Sequence, residues 1–301
     1  MNMFVRNVPL FAGLLACFVV SNAYSADIWT QERQYGNNIV GNKSLVNVVL
    51  EGEIKKGDYE TLYNTLKELG PSKHTEVVLR SPGGDYSEGI KIGRLLRKTR
   101  ISANVPSWRT NGPTCSADDG YPPPKNIKEN CVCASACAFI FFGAAFRNGT
   151  VVGLHRPYFA TAYFSSLSPD EAVQKYQSLV QISAEYLKEM GVGEDIQKRI
   201  MASASNDIDF LEPNYIKKYL WGWTPDIEEW ILAKCPGAAP RVRTLELSQK
   251  FVAGSISNSE NAELDAIFAA DRKASPCVLE ANAQLQQAGY KSVFGIPDKG
   301  K

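Results

Sequence analysis

The chain has 301 residues, of which 44% are hydrophobic and 22% charged, and its formal net charge is +1. This is an ordinary globular composition with enough apolar mass for a packed core. Near-neutral charge gives no basis for a nucleic-acid surface or a strongly acidic partner. Beyond the first 25 residues, no run approaches the roughly 18 apolar residues that a membrane span requires.

Those first 25 residues are distinct. MNMFVRN carries one arginine, VPLFAGLLACFVV is apolar throughout, and SNAYSA offers small residues for cleavage. Residues 1–25 therefore read as a bacterial-type secretory signal peptide, cut after Ser25 or Ala26. An alternative reads Leu14-Leu15-Ala16-Cys17 as a loose lipoprotein box that leaves an acylated Cys17 as the N-terminus, although the apolar run continues through Phe18-Val19-Val20. Removing Cys17 with the leader leaves Cys115, Cys131, Cys133, Cys137, Cys235 and Cys277. An even number in an exported chain predicts disulfides. The natural pairs are Cys235 with Cys277, and Cys115 with either Cys131 or Cys133 across a proline-rich loop. A metal at Cys131-x-Cys133-x3-Cys137 is the alternative. Zinc sites usually use two-residue spacings and histidines, and only His155 is near, so no metal is expected.

The mature start, residues 27–42, shows no periodicity and reads as an extended lead-in. Residues 45–54 (LVNVVLEGEI) are β-branched and apolar, which predicts a buried strand. Gly57-Asp58 marks a helix start with Asp58 as N-cap. Tyr59, Leu62, Tyr63, Leu66 and Leu69 form one apolar stripe, and Gly70-Pro71 ends it. Residues 76–79 (EVVL) predict a second strand, and SPGG turns the chain into a helix that buries Ile90, Ile92, Leu95 and Leu96. Strand, helix, strand, glycine turn and helix predict a parallel α/β sheet. Residues 110–130, rich in Gly, Asp and Pro, read as a loop insertion. Residues 134–145 predict a buried helix, and residues 150–154 a short strand delivering His155. Ser168-Pro169-Asp170-Glu171 opens a long helix over 169–190, with Tyr176, Leu179, Ile182 and Tyr186 packing inward. The composition shifts towards Ala, Ser and charge beyond Trp230. The expected organisation is an α/β domain at 27–230 and a disulfide-stapled helical appendage at 231–301.

Three segments carry chemistry. Ligands in a parallel sheet gather outside the carboxyl ends of strands. A Gly83-Gly84 turn there can aim backbone N–H groups at a developing oxyanion, or can be a plain tight turn. Ser135 lies between small residues at a helix start, where the hydroxyl meets free N–H groups and the positive end of the dipole. A serine needs a base to become a nucleophile, and the chain has two histidines. His74 precedes the EVVL strand whereas Gly83 and Gly84 follow it, so it lies roughly 30 Å away at the wrong end of the sheet and reads as a surface residue. His155 follows VVGL at the carboxyl end of its own strand, which makes it the candidate base.

SPGG, ASACA and GLHRP occur in the order of SPGG, Ala-Ser-x-x-Ala and His-x-Pro, and the chain from about Leu45 to Trp223 resembles the ClpP-like serine peptidases of the ClpP/crotonase superfamily, in particular the exported, periplasmic ones. The resemblance implies a ββα superhelix with a mostly parallel sheet, and a hydrolase acting on a peptide or protein without a cofactor. It implies Ser135 as nucleophile, His155 as base, an oxyanion hole from Gly83 or Gly84 together with Ala136, and a homo-oligomer. The family's aspartate falls in SASNDIDFLEPNY, where strict counting lands on Ala204. Asp207 is the candidate and Asp209 the next. The proline-rich insertion and the cysteines around Ser135 depart from the pattern. Three rivals follow: a degenerate member of the same fold used as an oligomeric binding or assembly module, an acyl-CoA enzyme, and a Ser–Lys dyad using Lys91 or Lys125.

Overall fold

The computed structural model of the chain describes residues 25–35, 43–71, 74–109, 112–115, 130–205 and 207–295. Residues 1–24 of the leader, Cys17 among them, and Lys125 lie outside them. The first element corrects the expected lead-in: Asp27–Tyr35 form β1, paired antiparallel along its whole length with β2 (Lys43–Glu51). β1 is an edge strand of largely polar residues, so backbone pairing rather than an apolar period fixes it.

β2 continues into a parallel core with β3 (His74–Arg80), β4 (Ser102–Asn104) and β8 (Phe146–Asn148), and β11 (Gly222–Trp223) closes the far edge antiparallel. Val48, Val49, Leu50, Val77 and Leu79 are fully buried in the centre of this six-stranded sheet, as near-continuous β-branched runs in parallel strands should be. A second sheet has the order β10 (Asp209–Phe210), β9 (Val152–Leu154), β7 (Cys133–Ala134). Its β7 joins the end of β3 through a bridge between Ser81 and Cys133. The insertion is not wholly a loop. Its residues Gly112–Thr114 form β6, a hairpin strand against β5 (Ser107–Arg109), with Pro113 opposite Trp108. Proline is tolerated there because the strand is an edge.

α1 (Asp58–Leu69) and α2 (Tyr86–Thr99) follow β2 and β3. Gly57, not Asp58, is the N-cap of α1, and the Asp58 side chain turns back to accept the Lys55 N–H at 2.7 Å. α3 (Ala136–Gly143) is buried at every residue, which an all-apolar Phe-Ile-Phe-Phe helix requires. It lies against α2 so closely that a Cβ on Gly143 would fall 2.2 Å from the Gly93 carbonyl oxygen. The buried guanidinium of Arg147 donates to the carbonyls of Phe142 and Met190, and Arg97 donates to those of Gly143 and Met190. These bonds satisfy carbonyls left open at helix ends. Burial pulls the Arg147 guanidinium down to about 9.

Next come α4 (Thr161–Phe164), α5 (Pro169–Glu189), α6 (Glu194–Ala202) and α7 (Pro213–Tyr219). A capping box between Ser168 and Glu171 opens α5 as the sequence signature predicts. Only its C-terminal half enters the core, through Ser183, Tyr186 and Leu187, whereas Ile182 is exposed rather than packed. α8 (Pro225–Lys234) spans the boundary expected at 230/231. After α9 (Arg241–Val252), the 37-residue α10 (Asn258–Phe294) returns to the α/β layer. There Gln286 exchanges hydrogen bonds with the Thr75 backbone, and Tyr290 is fully buried. Among the described residues no helix is long and apolar enough to cross a membrane.

Three disulfides fall where an exported chain could keep them: Cys115–Cys131, Cys133–Cys137 and Cys235–Cys277. The first resolves the choice left open for Cys115, the second brackets Ser135, and the third ties the end of α8 to α10.

Candidate active site

The site grows from two adjacent parallel strands. β7 and β9 pair Cys133 with Val152 and Ala134 with Gly153. Continuing that register by one residue sets Ser135 beside Leu154, and His155 follows. Both residues thus leave carboxyl ends on one side of the sheet, half-buried in a cleft of about 930 Å³ that Gly83 and Gly84 also line.

Ser135 occupies φ 57°, ψ −123°, a conformation that costs an L-residue of order 1–3 kcal/mol. Several neighbours impose it. Its N–H donates to the Gly153 carbonyl at 3.0 Å, its carbonyl accepts from Ala138 at 3.0 Å, and the Cys133–Cys137 bridge closes the turn around it. Although it is the N-cap of α3, its hydroxyl makes no capping bond. The hydroxyl is held outward, which suits a nucleophile better than a cap.

Gly83 and Gly84 sit at φ 113° and 136°. A Cβ on Gly83 would fall 2.5 Å from Ser135 Cβ and 2.9 Å from its Oγ, so only glycine lets the serine in. The Gly83 N–H donates to Ser81 Oγ at 3.1 Å and is already used. By contrast, the N–H groups of Gly84 and Ala136 have no hydrogen-bond partner among the described residues, and Ala136 begins α3, where orphan donors and the dipole favour an anion. The turn is fastened from the other side too: Ile54 donates to the Gly83 carbonyl and Asp85 to the Ile54 carbonyl, each at 2.7 Å.

His155 Nδ1 lies 2.9 Å from the Arg156 carbonyl oxygen. A carbonyl can only accept, so Nδ1 carries the proton and Nε2 is the basic nitrogen. No hydrogen bond joins Ser135 to His155, and none joins His155 to a carboxylate, among the described residues. Asp207 is exposed. Asp209 is held by Arg199 in a two-pronged pair, at 2.8 Å to Nε and 2.7 Å to Nη2. Ala204 is exposed as well. Extending the β9–β10 register from Asp209 opposite Leu154 sets Ile208, not an aspartate, across from His155.

His74 stands at the start of β3, away from the glycine turn, but it is not a surface residue. Asn282 of α10 contacts its ring, and burial holds its pKa below 6.5. Lys91 is half-exposed and paired with Glu88 at 2.7 Å, outside the cleft. Cys131, Cys133 and Cys137 are all in disulfides, and the described residues contain no cluster of three or more His, Cys, Asp or Glu that could hold a metal.

The cleft also contains parts that were not singled out from sequence. Ile54, Lys55 and Lys56 follow β2, at the same sheet end as the glycine turn, which the rule about carboxyl ends could have signalled. Tyr86, Phe139, Phe159 and Leu179 form its apolar wall. Burial pushes the Tyr86 phenol up to about 12, and its hydroxyl is engaged with Ser183 at 2.6 Å, so it is a wall and not a proton carrier. In comparisons with known proteins, no family model matches the chain and no curated protein is similar to it.

Proposed function

We propose that the protein is an exported serine hydrolase of the ClpP/crotonase type, working in the periplasm on peptide or protein substrates as a homo-oligomer. Ser135 Oγ attacks the scissile carbonyl carbon while its proton passes to His155 Nε2. The carbonyl oxygen becomes an oxyanion that accepts from the N–H groups of Gly84 and Ala136. Collapse of the tetrahedral intermediate breaks the C–N bond, and His155 returns the proton to the leaving amine. Water, deprotonated by His155, then hydrolyses the acyl-serine. The observation that carries this reading is the strained Ser135, packed on Gly83 in the cleft that holds His155, with its hydroxyl and the two amides free of hydrogen bonds among the described residues.

One observation favours a second reading, a catalytically silent member of the same fold used as a binding or assembly module: among the described residues no carboxylate is hydrogen-bonded to His155, and Asp209 is bound to Arg199. A fluorophosphonate probe on the purified, oxidised protein separates the two. The hydrolase reading expects labelling that disappears in Ser135→Ala and falls strongly in His155→Ala. Absence of labelling in a folded sample, both before and after reduction of the cysteines, would leave the module reading.

A further inference from the structure

A carboxylate that the serine chemistry does not use is buried where the expected leader ends. Asp58 is 0% exposed, and among the described residues its oxygens accept from Ser25 Oγ, the Ala26 N–H at 3.4 Å and the Lys55 N–H at 2.7 Å. No Lys, Arg or His is paired with it among the described residues. A buried carboxylate without a cation is costly. The chain turns from exposed to buried between Ser25 and Ala26, the latter packing into the core at 8% exposure. Cutting the 25–26 bond would leave small residues, Ala23 and Ser25, at the positions that a leader peptidase reads. Cutting after Ala26 would set the bulky Tyr24 at one of them.

We propose that leader removal between Ser25 and Ala26 creates the missing cation: the α-ammonium of Ala26 docks on Asp58 and fastens the turn behind the Gly83–Gly84 amides. Hydrolysis of the bond adds water, giving a carboxylate on the departing Ser25 and an amine on Ala26 that is protonated at neutral pH. The Ser25 hydroxyl leaves with the leader. The ammonium has three donors and a full charge where the amide had one donor and none, so it replaces that lost bond and neutralises the carboxylate. The same carboxylate holds Lys55 N–H, and the preceding residue, Ile54, is clasped to Gly83 and Asp85. Docking the terminus therefore stiffens the oxyanion turn. That consequence for activity rests on the hydrolase reading, whereas the docking does not.

The test uses three versions of the mature chain: one beginning at Ala26, one beginning at Ser25, and one beginning at Nα-acetylated Ala26. Each is made with Asp58 and with Asp58→Asn, and thermal unfolding is followed at pH 7. The free Ala26 chain should melt roughly 5–10 °C above the other two, and Asp58→Asn should bring all three together. Equal melting of the three Asp58 chains would overturn the proposal, as would a difference that survives Asp58→Asn. Should Asp58→Asn not fold, the free and acetylated Ala26 chains decide by themselves. Intact mass of the protein exported with its own leader is the second measurement; a chain beginning at Asp27 or at an acylated Cys17 would also overturn it. Probe labelling of Ser135 should be about tenfold faster in the free Ala26 chain. A melting difference with no labelling in any chain would retain the docked terminus and remove the hydrolase reading.

Discussion

Replacing Ser135 by glycine should make the protein more stable than replacing it by alanine, the reverse of the usual order. Neither variant has the hydroxyl, so the comparison isolates the backbone. At φ 57°, ψ −123° a residue with a Cβ is strained by about 2 kcal/mol, which glycine relieves. Against this, glycine loses about 0.5–1 kcal/mol more conformational entropy than alanine on folding. It also gives up the half-buried methyl contact with Gly83, about 0.4 kcal/mol. The Cys133–Cys137 bridge already restrains the three residues between the cysteines in the unfolded chain, so the entropic loss belongs at the low end. The net gain is roughly 1 kcal/mol, or about 2–4 °C in melting temperature for a chain of this size. Calorimetry of the two oxidised variants reads it directly. If Ser135→Gly melted below Ser135→Ala, the strain would not be real and the outward-held hydroxyl would lose its physical basis.

Three further outcomes follow from the same geometry. Gly83→Ala pushes a Cβ into Ser135 and should lower probe labelling about 100-fold in a protein that remains folded by circular dichroism; unchanged labelling would mean that the serine does not work against this turn. Two of the disulfides should separate stability from activity. Removing Cys235–Cys277, which closes a separation of 42 residues, should cost about 4 kcal/mol, and removing Cys133–Cys137, with a separation of 4, about 2 kcal/mol. Denaturant unfolding measures the costs, and only the second variant should lose Ser135 labelling. Burial lowers the His74 pKa below 6.5, so near and below that pH the unfolded chain binds a proton that the folded chain resists. Stability should therefore fall on acidification from pH 7 to 5, and His74→Gln should flatten the slope by up to about 1.4 kcal/mol per pH unit; an unaltered slope would show that the ring is protonated in place.

How much of this was legible depends on what fixes each element. The parallel core strands declare themselves because both of their faces are buried, leaving the β-branched runs at 45–50 and 76–79. Ser168-Pro169 marks α5 because capping is local chemistry. β1 is held by a backbone ladder on a polar edge, and no side-chain period records that. His74 looks exposed in sequence because the residue that covers it, Asn282, is 208 positions away. The apolar stripe of α5 is left uncovered at Ile182, a mismatch that periodicity has no means to detect. At the candidate site, the placing of Ser135, His155 and the glycine pair after strands was readable. The division of labour between the two glycines was not, because it depends on the Ser81 hydroxyl occupying one N–H and leaving the other.

The aspartate of a serine–histidine–aspartate triad performs two tasks, and they separate here. One is to fix the tautomer and aim the ring; the other is to stabilise the imidazolium that forms when the serine gives up its proton. The Arg156 carbonyl, 2.9 Å from Nδ1, performs the first. It contributes only a dipole to the second. One candidate for a full charge, Asp209, sits opposite Leu154, one residue short of His155, and both of its oxygens are engaged by Arg199. That pair raises the arginine's pKa through its bonds to Asp209 and Glu212, so the arginine keeps its charge beside the carboxylate. If Ser135 is a nucleophile, the cost of the imidazolium falls on the solvent-facing side of His155 and on the oxyanion donors. Gly84 and Ala136, whose N–H groups have no other partner among the described residues, then carry more of the transition state than they would beside a complete triad.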